Sequence, residues 1–186
     1  MNYSDKHFLD LEYTPDQHHE NLLSYKAITN RIKKGFDYDF YNSMNIQDFY
    51  NHLDNMYMLI EDLIENGIYD IGNYFKEIIL VNWHWLINDP LDLDVIIGKL
   101  MEIYDTKNWK YANTDEYRIM YYSPYATLLM LAQKIRRLKS QVKKGIDLGE
   151  ESFDDTIMDL TNYCMIYLIW MAKGMPKLRD VEIKIN

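Results

Sequence analysis

The amino-acid sequence predicts an all-α fold, a bundle of about six helices. Apolar residues recur three and four positions apart over long segments, which is the spacing of one face of an α-helix. Residues that typically begin or end helices stand at the borders of these segments. The 186 residues include only 7 Gly and 4 Pro, which disfavours a turn-rich β sandwich. Together these features favour helices packed on helices.

The N-terminal half of the chain predicts three helices. Thr14 is a suitable N-cap, Pro15 suits the first helical position, and Gly35 is a natural end. The second segment, residues 45–67, carries the clearest apolar seam. A third helix is predicted at about residues 71–87. The members of the seam are Ile46, Phe49, Leu53, Met56, Ile60 and Leu63.

The C-terminal half predicts three more helices. The Asp-Pro pair at residues 89–90 ends the third helix and caps a fourth, which runs to about Tyr104. Residues 105–122 are predicted to form a loop rich in aromatic side chains. The Ser-Pro pair at residues 123–124 begins a fifth helix, and Ser152 caps a sixth. A short turn punctuated by glycine joins the last two helices.

The break at residues 89–90 is the best candidate for a domain boundary. It separates an N-terminal helical region, residues 1–89, from a C-terminal helical module, residues 90–175. The last residues, 176–186, are predicted to be a tail. Apolar and polar residues alternate there, as in a short strand or an ordered terminal segment.

The overall charge limits the classes of partner. The chain has a formal net charge of −9, and its charged residues make up 26% of the sequence. Basic residues cluster at residues 31–34 and 134–144, and the rest is acidic. This balance disfavours direct binding of duplex nucleic acid, which needs a basic footprint. An acidic surface instead suits a basic protein partner or divalent metal.

The single cysteine and the absence of long apolar stretches indicate the compartment. Cys164 excludes an internal disulfide, and its apolar neighbours predict a buried, inert thiol. No uncharged apolar stretch reaches the length that spans a bilayer, and residues 160–172 are too few. No N-terminal signal pattern is present. We therefore expect no membrane association, and a cytoplasmic protein of a bacterial or phage-infected cell.

One face of the sixth helix gathers polar side chains. Asp155, Asp159 and Asn162 follow at steps of four and three, which places them on the same side of the helix. Two carboxylates one turn apart can share a divalent cation, because hard cations prefer oxygen ligands. Without a cation or a basic side chain nearby, the two carboxylates repel each other. This face is therefore a candidate Mg²⁺ site.

The fifth helix carries basic residues that can face these carboxylates. Lys134 and Arg137 lie one turn apart, with Arg136 and Lys139 close by. The short turn between the fifth and sixth helices predicts that they are antiparallel neighbours. The functional interpretation is a phosphate clamp opposite the Mg²⁺ site. The structural interpretation is a set of interhelical salt bridges on a solvated face, which the pattern by itself favours.

Three segments of the C-terminal module carry a family resemblance. They are residues 107–112 (KNWKYA), 131–140 (LAQKIRRLKS) and 151–163 (ESFDDTIMDLTNY). These segments and their spacing resemble the nucleotide-modification-associated family of phages and bacteria, which is similar to the all-α, MazG-like NTP pyrophosphohydrolases. The resemblance covers about residues 92–172, and its third segment is the most specific. It implies an oligomeric helical bundle that acts on a nucleotide with Mg²⁺.

The resemblance also implies roles for individual residues. Asp155 and Asp159 would be catalytic carboxylates that hold the metal, with Glu151 as a further ligand. Lys134 would be a catalytic cation at the phosphate. In such chemistry the metal polarises the phosphoryl oxygens and activates water, and cationic groups stabilise the developing charge. The residues that would bind substrate are Tyr111, Arg137, Lys139 and Asn162.

Two positions depart from the family pattern. The pattern has Asp-Tyr-Gly where this chain has Lys110-Tyr111-Ala112, and it has Asp where this chain has Gln133. Both changes remove a carboxylate from the implied site. Because metal affinity follows the charge and number of the ligands, Mg²⁺ should bind more weakly here. The module can therefore be a fold that has kept nucleotide binding without catalysis.

Other candidate sites carry less specific patterns. Residues 61–65 (EDLIE) fit the Glu-Glu-x-x-Glu type of helix in MazG-like enzymes, and residues 102–105 (EIYD) fit its Glu-x-x-Asp partner. Short patterns of this kind arise by chance in an acidic chain. The five histidines show no zinc-ligand spacing, so packed or solvated histidines are expected.

These observations lead to two hypotheses of different classes. The first is a Mg²⁺-dependent dNTP or NTP pyrophosphohydrolase, or a degenerate relative that only binds the nucleotide. The second is a non-catalytic, acidic, phage-encoded protein that inhibits a basic host enzyme of nucleic-acid defence, of the anti-CRISPR or a similar type. The polar face of the sixth helix favours the first hypothesis, and the net charge favours the second.

Overall fold

Six helices form the part of the chain that the computed structural model describes, which is residues 13–39, 43–66, 72–87, 92–111, 124–144 and 152–173. The predicted all-α bundle is confirmed. None of these helices is long and apolar enough to cross a membrane. The helices are α1 (Pro15–Lys33), α2 (Ile46–Asn66), α3 (Gly72–Leu86), α4 (Leu93–Tyr111), α5 (Pro124–Lys144) and α6 (Phe153–Ala172).

Helix α6 is the centre of the bundle. It packs against α1, α3, α4 and α5. Fourteen of its 20 residues are buried, so apolar side chains cover it on nearly all sides. A helix that is apolar all round belongs in the interior. Asp155 and Asp159, which define the predicted polar face, lie in the N-terminal half of this mostly buried helix, Asp155 exposed and Asp159 half-buried.

Helix α2 packs mainly against α5. The seam predicted from the sequence is buried from Phe49 to Leu63, which confirms the apolar spacing as its packing face. Later residues of α5 contact earlier residues of α2. Arg136 reaches Tyr57, and Lys143 lies over the ring of Tyr50. The two helices are therefore antiparallel.

The ends of the helices follow the predicted capping residues in two cases. Thr14 caps α1 in a reciprocal capping box with Gln17, and Pro15 is its first residue. The Ser152 hydroxyl accepts a hydrogen bond from the backbone N–H of Asp155 at the start of α6. Such caps satisfy backbone donors that a helix leaves without an intrahelical partner.

Helix α4 differs from its prediction. The sequence predicts an end at about Tyr104 and a loop from residue 105, but α4 continues to Tyr111. That part of the prediction was wrong. The extra turns are held by tertiary contacts, since Asn108 is buried and Lys107 pairs with α6. Residues 112–122 of the predicted loop and the tail from residue 176 lie outside the described residues.

Buried polar pairs tie α6 to the N-terminal helices. The Tyr25 hydroxyl on α1 donates to Oδ1 of Asn162 at 2.7 Å, and the Asn82 amide on α3 donates to the Thr161 hydroxyl at 3.0 Å. The core thus includes residues from both sides of the proposed boundary at residues 89–90. The division into two domains stays a prediction.

Candidate functional site

The candidate site centres on one carboxylate held by two lysines. Lys107 Nζ on α4 lies 2.6 Å from Oδ1 of Asp159, and Lys134 Nζ on α5 lies 2.8 Å from Oδ2. Each oxygen of the carboxylate therefore accepts a hydrogen bond from a different helix. We call these three residues the Asp159 bridge. The arrangement joins α4, α5 and α6 at one point.

The environment keeps Asp159 ionised. Burial acts to raise the pKa of Asp159, but hydrogen bonds from Lys107 and Lys134, together with their charges, outweigh it and leave the pKa below 3.8. Asp159 and Lys134 are each 15% exposed, whereas Lys107 is 54% exposed. Two ammonium groups and one carboxylate therefore meet at this point. Of the two ammonium groups, that of Lys107 is the more accessible to solvent.

The other predicted metal ligands lie in different surroundings. Asp155 is exposed, one turn before Asp159 on α6. Glu151 lies outside the described residues. Within the described residues no group of three His, Cys, Asp or Glu side chains is placed to hold a metal ion.

Asn162 is part of the core. It is 7% exposed, and its Oδ1 accepts the hydrogen bond from Tyr25. Its Nδ2 donates to the backbone oxygen of Leu100 on α4 at 3.3 Å. Both ends of the amide are therefore engaged with other helices. The structure assigns Asn162 a role in packing α6 against α1 and α4, apart from any role toward substrate.

Two of the predicted substrate-binding residues extend from the Asp159 bridge. Tyr111 is four residues after Lys107 on α4, so the two side chains share a helix face. Its ring is 43% exposed, and Lys110 Nζ lies 5.2 Å from the ring centre. Arg137 is exposed, and it lies three residues after Lys134 on α5. An aromatic ring and a guanidinium thus stand about one helical turn from the paired lysines.

Lys139 faces another helix. Its ammonium pairs with the Asp54 carboxylate on α2 and lies 5.3 Å from the ring centre of Tyr57 and 5.6 Å from that of Tyr50. These contacts tie α5 to α2. The structure therefore does not bring Lys139 together with Asp159, although the sequence pattern grouped it with Lys134.

Sequence reasoning gave no role to Lys107, which supplies half of the Asp159 bridge. The residue lies in the first segment of the family resemblance. Because a loop was predicted from residue 105, the sequence did not place Lys107 on any helix face. A helix continued through residue 111 would have placed Lys107 and Tyr111 on one face. That spacing is the signal that could have identified Lys107.

The described residues do not fit a Mg²⁺ site as they stand. Both oxygens of Asp159 already accept hydrogen bonds from ammonium groups. A divalent cation at this carboxylate would lie next to two ammonium charges, which repel it. Asp155 is a carboxylate on the same face, but a single exposed carboxylate is a weak ligand set.

Comparisons with protein-family models, with curated proteins and with solved structures found no match to this chain. The resemblance to MazG-like proteins therefore stays a prediction that rests on the three sequence segments.

Proposed function

We propose that this chain binds a nucleotide through its phosphates, as a degenerate relative of the MazG-like pyrophosphohydrolases. The observation that supports it is the Asp159 bridge, in which two ammonium groups from different helices meet at one carboxylate and the Lys107 ammonium is half exposed. A phosphate group carries several acceptor oxygens and suits two ammonium donors. Lys107 is the half-exposed partner, so it is the lysine that would first leave the carboxylate for a phosphate.

The surroundings of the bridge suit the rest of a nucleotide. Tyr111 offers a partly exposed ring one turn from Lys107, and a nucleobase can stack on such a ring. Arg137 lies one turn from Lys134, where a guanidinium can contact a second phosphate. In this proposal Asp159 is the counter-ion that holds the two lysines in place when no nucleotide is bound. Nucleotide binding of this kind does not require the protein to hold a divalent cation.

The proposal is tested by titration calorimetry with each dNTP and NTP, with Mg²⁺ and then with a chelator. We expect binding in both conditions, and Lys134→Gln should weaken it by about tenfold or more, since it removes a charged hydrogen-bond donor. Lys144→Gln is the matched control, because Lys144 is an exposed lysine at the far end of the same helix. No binding of any nucleotide by the native protein would refute the proposal.

Product analysis separates binding from catalysis. Chromatography after incubation with Mg²⁺ would detect a monophosphate and pyrophosphate if the chain is a pyrophosphohydrolase. Asp159→Asn should then abolish turnover. Binding without products is the expected result. Both oxygens of the Asp159 carboxylate accept hydrogen bonds from lysines, and the two ammonium charges disfavour a metal ion there. A native protein that releases pyrophosphate would show that the bridge opens to admit the metal.

A second candidate function rests on the exposed face of α2. This helix has five acidic residues and no lysine or arginine. Met58 is 63% exposed on the same helix, so the acidic surface surrounds an apolar side chain. Such a face suits an acidic interaction protein that occupies a basic surface on a host enzyme. Asp54 pairs with Lys139 of α5, and the four exposed acidic residues are Asp48, Glu61, Asp62 and Glu65.

This second candidate predicts binding that weakens with salt. We expect a basic partner captured from bacterial lysate at low salt to be lost at high salt. The double substitution Glu61→Lys and Glu65→Lys should abolish capture. Glu102→Lys is the control, because Glu102 is exposed on α4. A partner retained by the double variant would exclude the α2 face as the binding surface.

A further inference from the structure

Helices α2 and α5 carry opposite charges and lie side by side. Helix α5 has six lysine and arginine residues and no aspartate or glutamate, whereas α2 has five acidic residues and no lysine or arginine. The two helices are antiparallel, with Arg136 at Tyr57 and Lys143 over the ring of Tyr50. We call the exposed surface that these two helices share the α2–α5 face.

The two signs of charge collect at opposite ends of the α2–α5 face. Glu61 and Glu65 are exposed near the end of α2, and Lys143 and Lys144 are exposed at the end of α5. Lys143 lies over the ring of Tyr50, which is near the start of α2. About 16 Å of helix separates the position of Tyr50 from that of Glu61. The face therefore has an acidic end and a basic end.

Ion pairs within the chain neutralise the middle of the face and leave its ends charged. Lys139 pairs with Asp54 where the two helices touch. Among the described residues, no salt bridge involves the two glutamates of the acidic end or the two lysines of the basic end. The two glutamates are one turn apart on α2, and like charges at this spacing repel each other. A surface of opposite charge over each end would offset that repulsion.

Exposed apolar side chains accompany these charges, and the face is large enough for an interface. Met58 on α2 is 63% exposed, and Leu129 on α5 is 46% exposed. Each helix has 21 residues. Two such helices side by side are about 30 Å long and about 20 Å wide, which gives a face of about 600 Å². Two copies of the face in contact would bury about 1,200 Å², the lower end of the range for specific interfaces.

We propose that the α2–α5 face binds the same face of a second copy of this chain across a two-fold axis. A half-turn about an axis in the contact plane, perpendicular to the line between the two ends, places the acidic end of each copy over the basic end of the other. The face is therefore complementary to itself. A basic partner would match the acidic end alone, whereas a second copy matches both ends at once. This surface does not depend on nucleotide binding at the Asp159 bridge.

The first test measures the oligomeric state of the purified full chain by sedimentation velocity. At about 50 mM salt we expect a dimer whose fraction rises with protein concentration, and at about 1 M salt we expect monomer, because salt screens the charges at the two ends. A chain that stays monomeric at low salt up to its solubility limit would overturn the proposal. A dimer that persists unchanged at high salt would contradict the role of the charged ends.

Paired charge reversals test which surfaces meet. Glu61→Lys with Glu65→Lys makes both ends basic, and Lys143→Glu with Lys144→Glu makes both ends acidic. Each double variant by itself should be monomeric at low salt, because like charges then oppose each other. An equimolar mixture of the two variants should form a heterodimer. Self-association of either variant, or a mixture of folded variants that stays monomeric, would refute the assigned surface.

Controls separate a lost interface from a lost fold. Glu102→Lys should dimerise like the native chain, because Glu102 is exposed on α4, outside the α2–α5 face. Circular dichroism checks that each variant keeps its helices. If a double variant fails to fold, Glu65→Lys and Lys144→Glu carry the same test as single substitutions.

The same measurements distinguish a second copy from a basic host protein. The purified chain is free of host protein, so a salt-sensitive dimer that follows the charge reversals arises from the chain itself. A native chain that is monomeric at low salt, yet captures a basic protein that the reversal of Glu61 and Glu65 abolishes, would assign the acidic end to that other partner and overturn the proposed dimer.

Discussion

Lys134 on α5 and Asp159 on α6 form an ion pair in which both side chains are only 15% exposed. The other oxygen of Asp159 is held by Lys107 on α4. One carboxylate therefore fixes the relative positions of three helices. The proposed nucleotide site uses the same two ammonium groups. Substitutions at Asp159 should therefore affect both stability and the proposed binding.

Replacing Asp159 should destabilise the fold. Asp159→Asn removes the carboxylate that pairs with the largely buried Lys134 ammonium, which costs about 1–3 kcal/mol. Urea denaturation measures the change in the free energy of unfolding. Asp155→Asn is the control, because Asp155 is exposed on the same face, and it should cost at most about 0.5 kcal/mol. Equal effects of the two substitutions would show that the Asp159 bridge contributes little.

Stability should depend on pH through His52. Burial lowers the pKa of His52 from 6.5 to about 4. The unfolded chain takes up a proton near pH 6.5 that the folded chain does not accept until about pH 4. The free energy of unfolding is therefore highest above this window and falls as the pH drops through it, by an amount on the order of 3 kcal/mol.

Urea denaturation at several pH values across that window tests the role of His52. His52→Gln should flatten the dependence, because glutamine does not titrate. His19→Gln should keep the native slope, since His19 is exposed. A slope that survives His52→Gln would assign the pH dependence to other groups, and His84 is the next candidate because burial lowers its pKa as well.

Lys139 should matter for stability and leave nucleotide binding unchanged. Lys139→Met removes the ion pair with Asp54 and the contacts with two tyrosine rings, and we expect a loss of about 0.5–2 kcal/mol in the free energy of unfolding. Calorimetric affinity for nucleotide should stay within about twofold of the native value. A strong loss of affinity for nucleotide would show that Lys139 contributes to the binding site after all.

The buried pair of Tyr25 and Asn162 should be sensitive to the loss of one hydroxyl. Tyr25→Phe leaves Oδ1 of Asn162 buried without its 2.7 Å hydrogen bond, which costs about 1–3 kcal/mol. Thermal denaturation compares this variant with Tyr125→Phe, a control at an exposed tyrosine. If the two variants melt together, the amide has found another partner and the hydrogen bond is not a determinant of packing.

The sequence by itself determined the helices and the packing face of α2. The spacing of apolar residues and the capping side chains are local features. Both depend on interactions between residues within one or two helical turns of each other. Thr14, Ser152 and the seam from Phe49 to Leu63 were therefore readable in advance. The polar face of α6 was readable for the same reason, since Asp155 and Asp159 are one turn apart.

Only the tertiary structure decided which side chains meet. Lys107 and Asp159 are 52 residues apart in the chain, and His18 and Asp105 are 87 residues apart. Partners at such separations depend on which helices pack together and in what register, and no local spacing encodes that choice. The last two turns of α4 show the same dependence, because burial of Asn108 against Tyr13 holds a segment that local signals assigned to a loop.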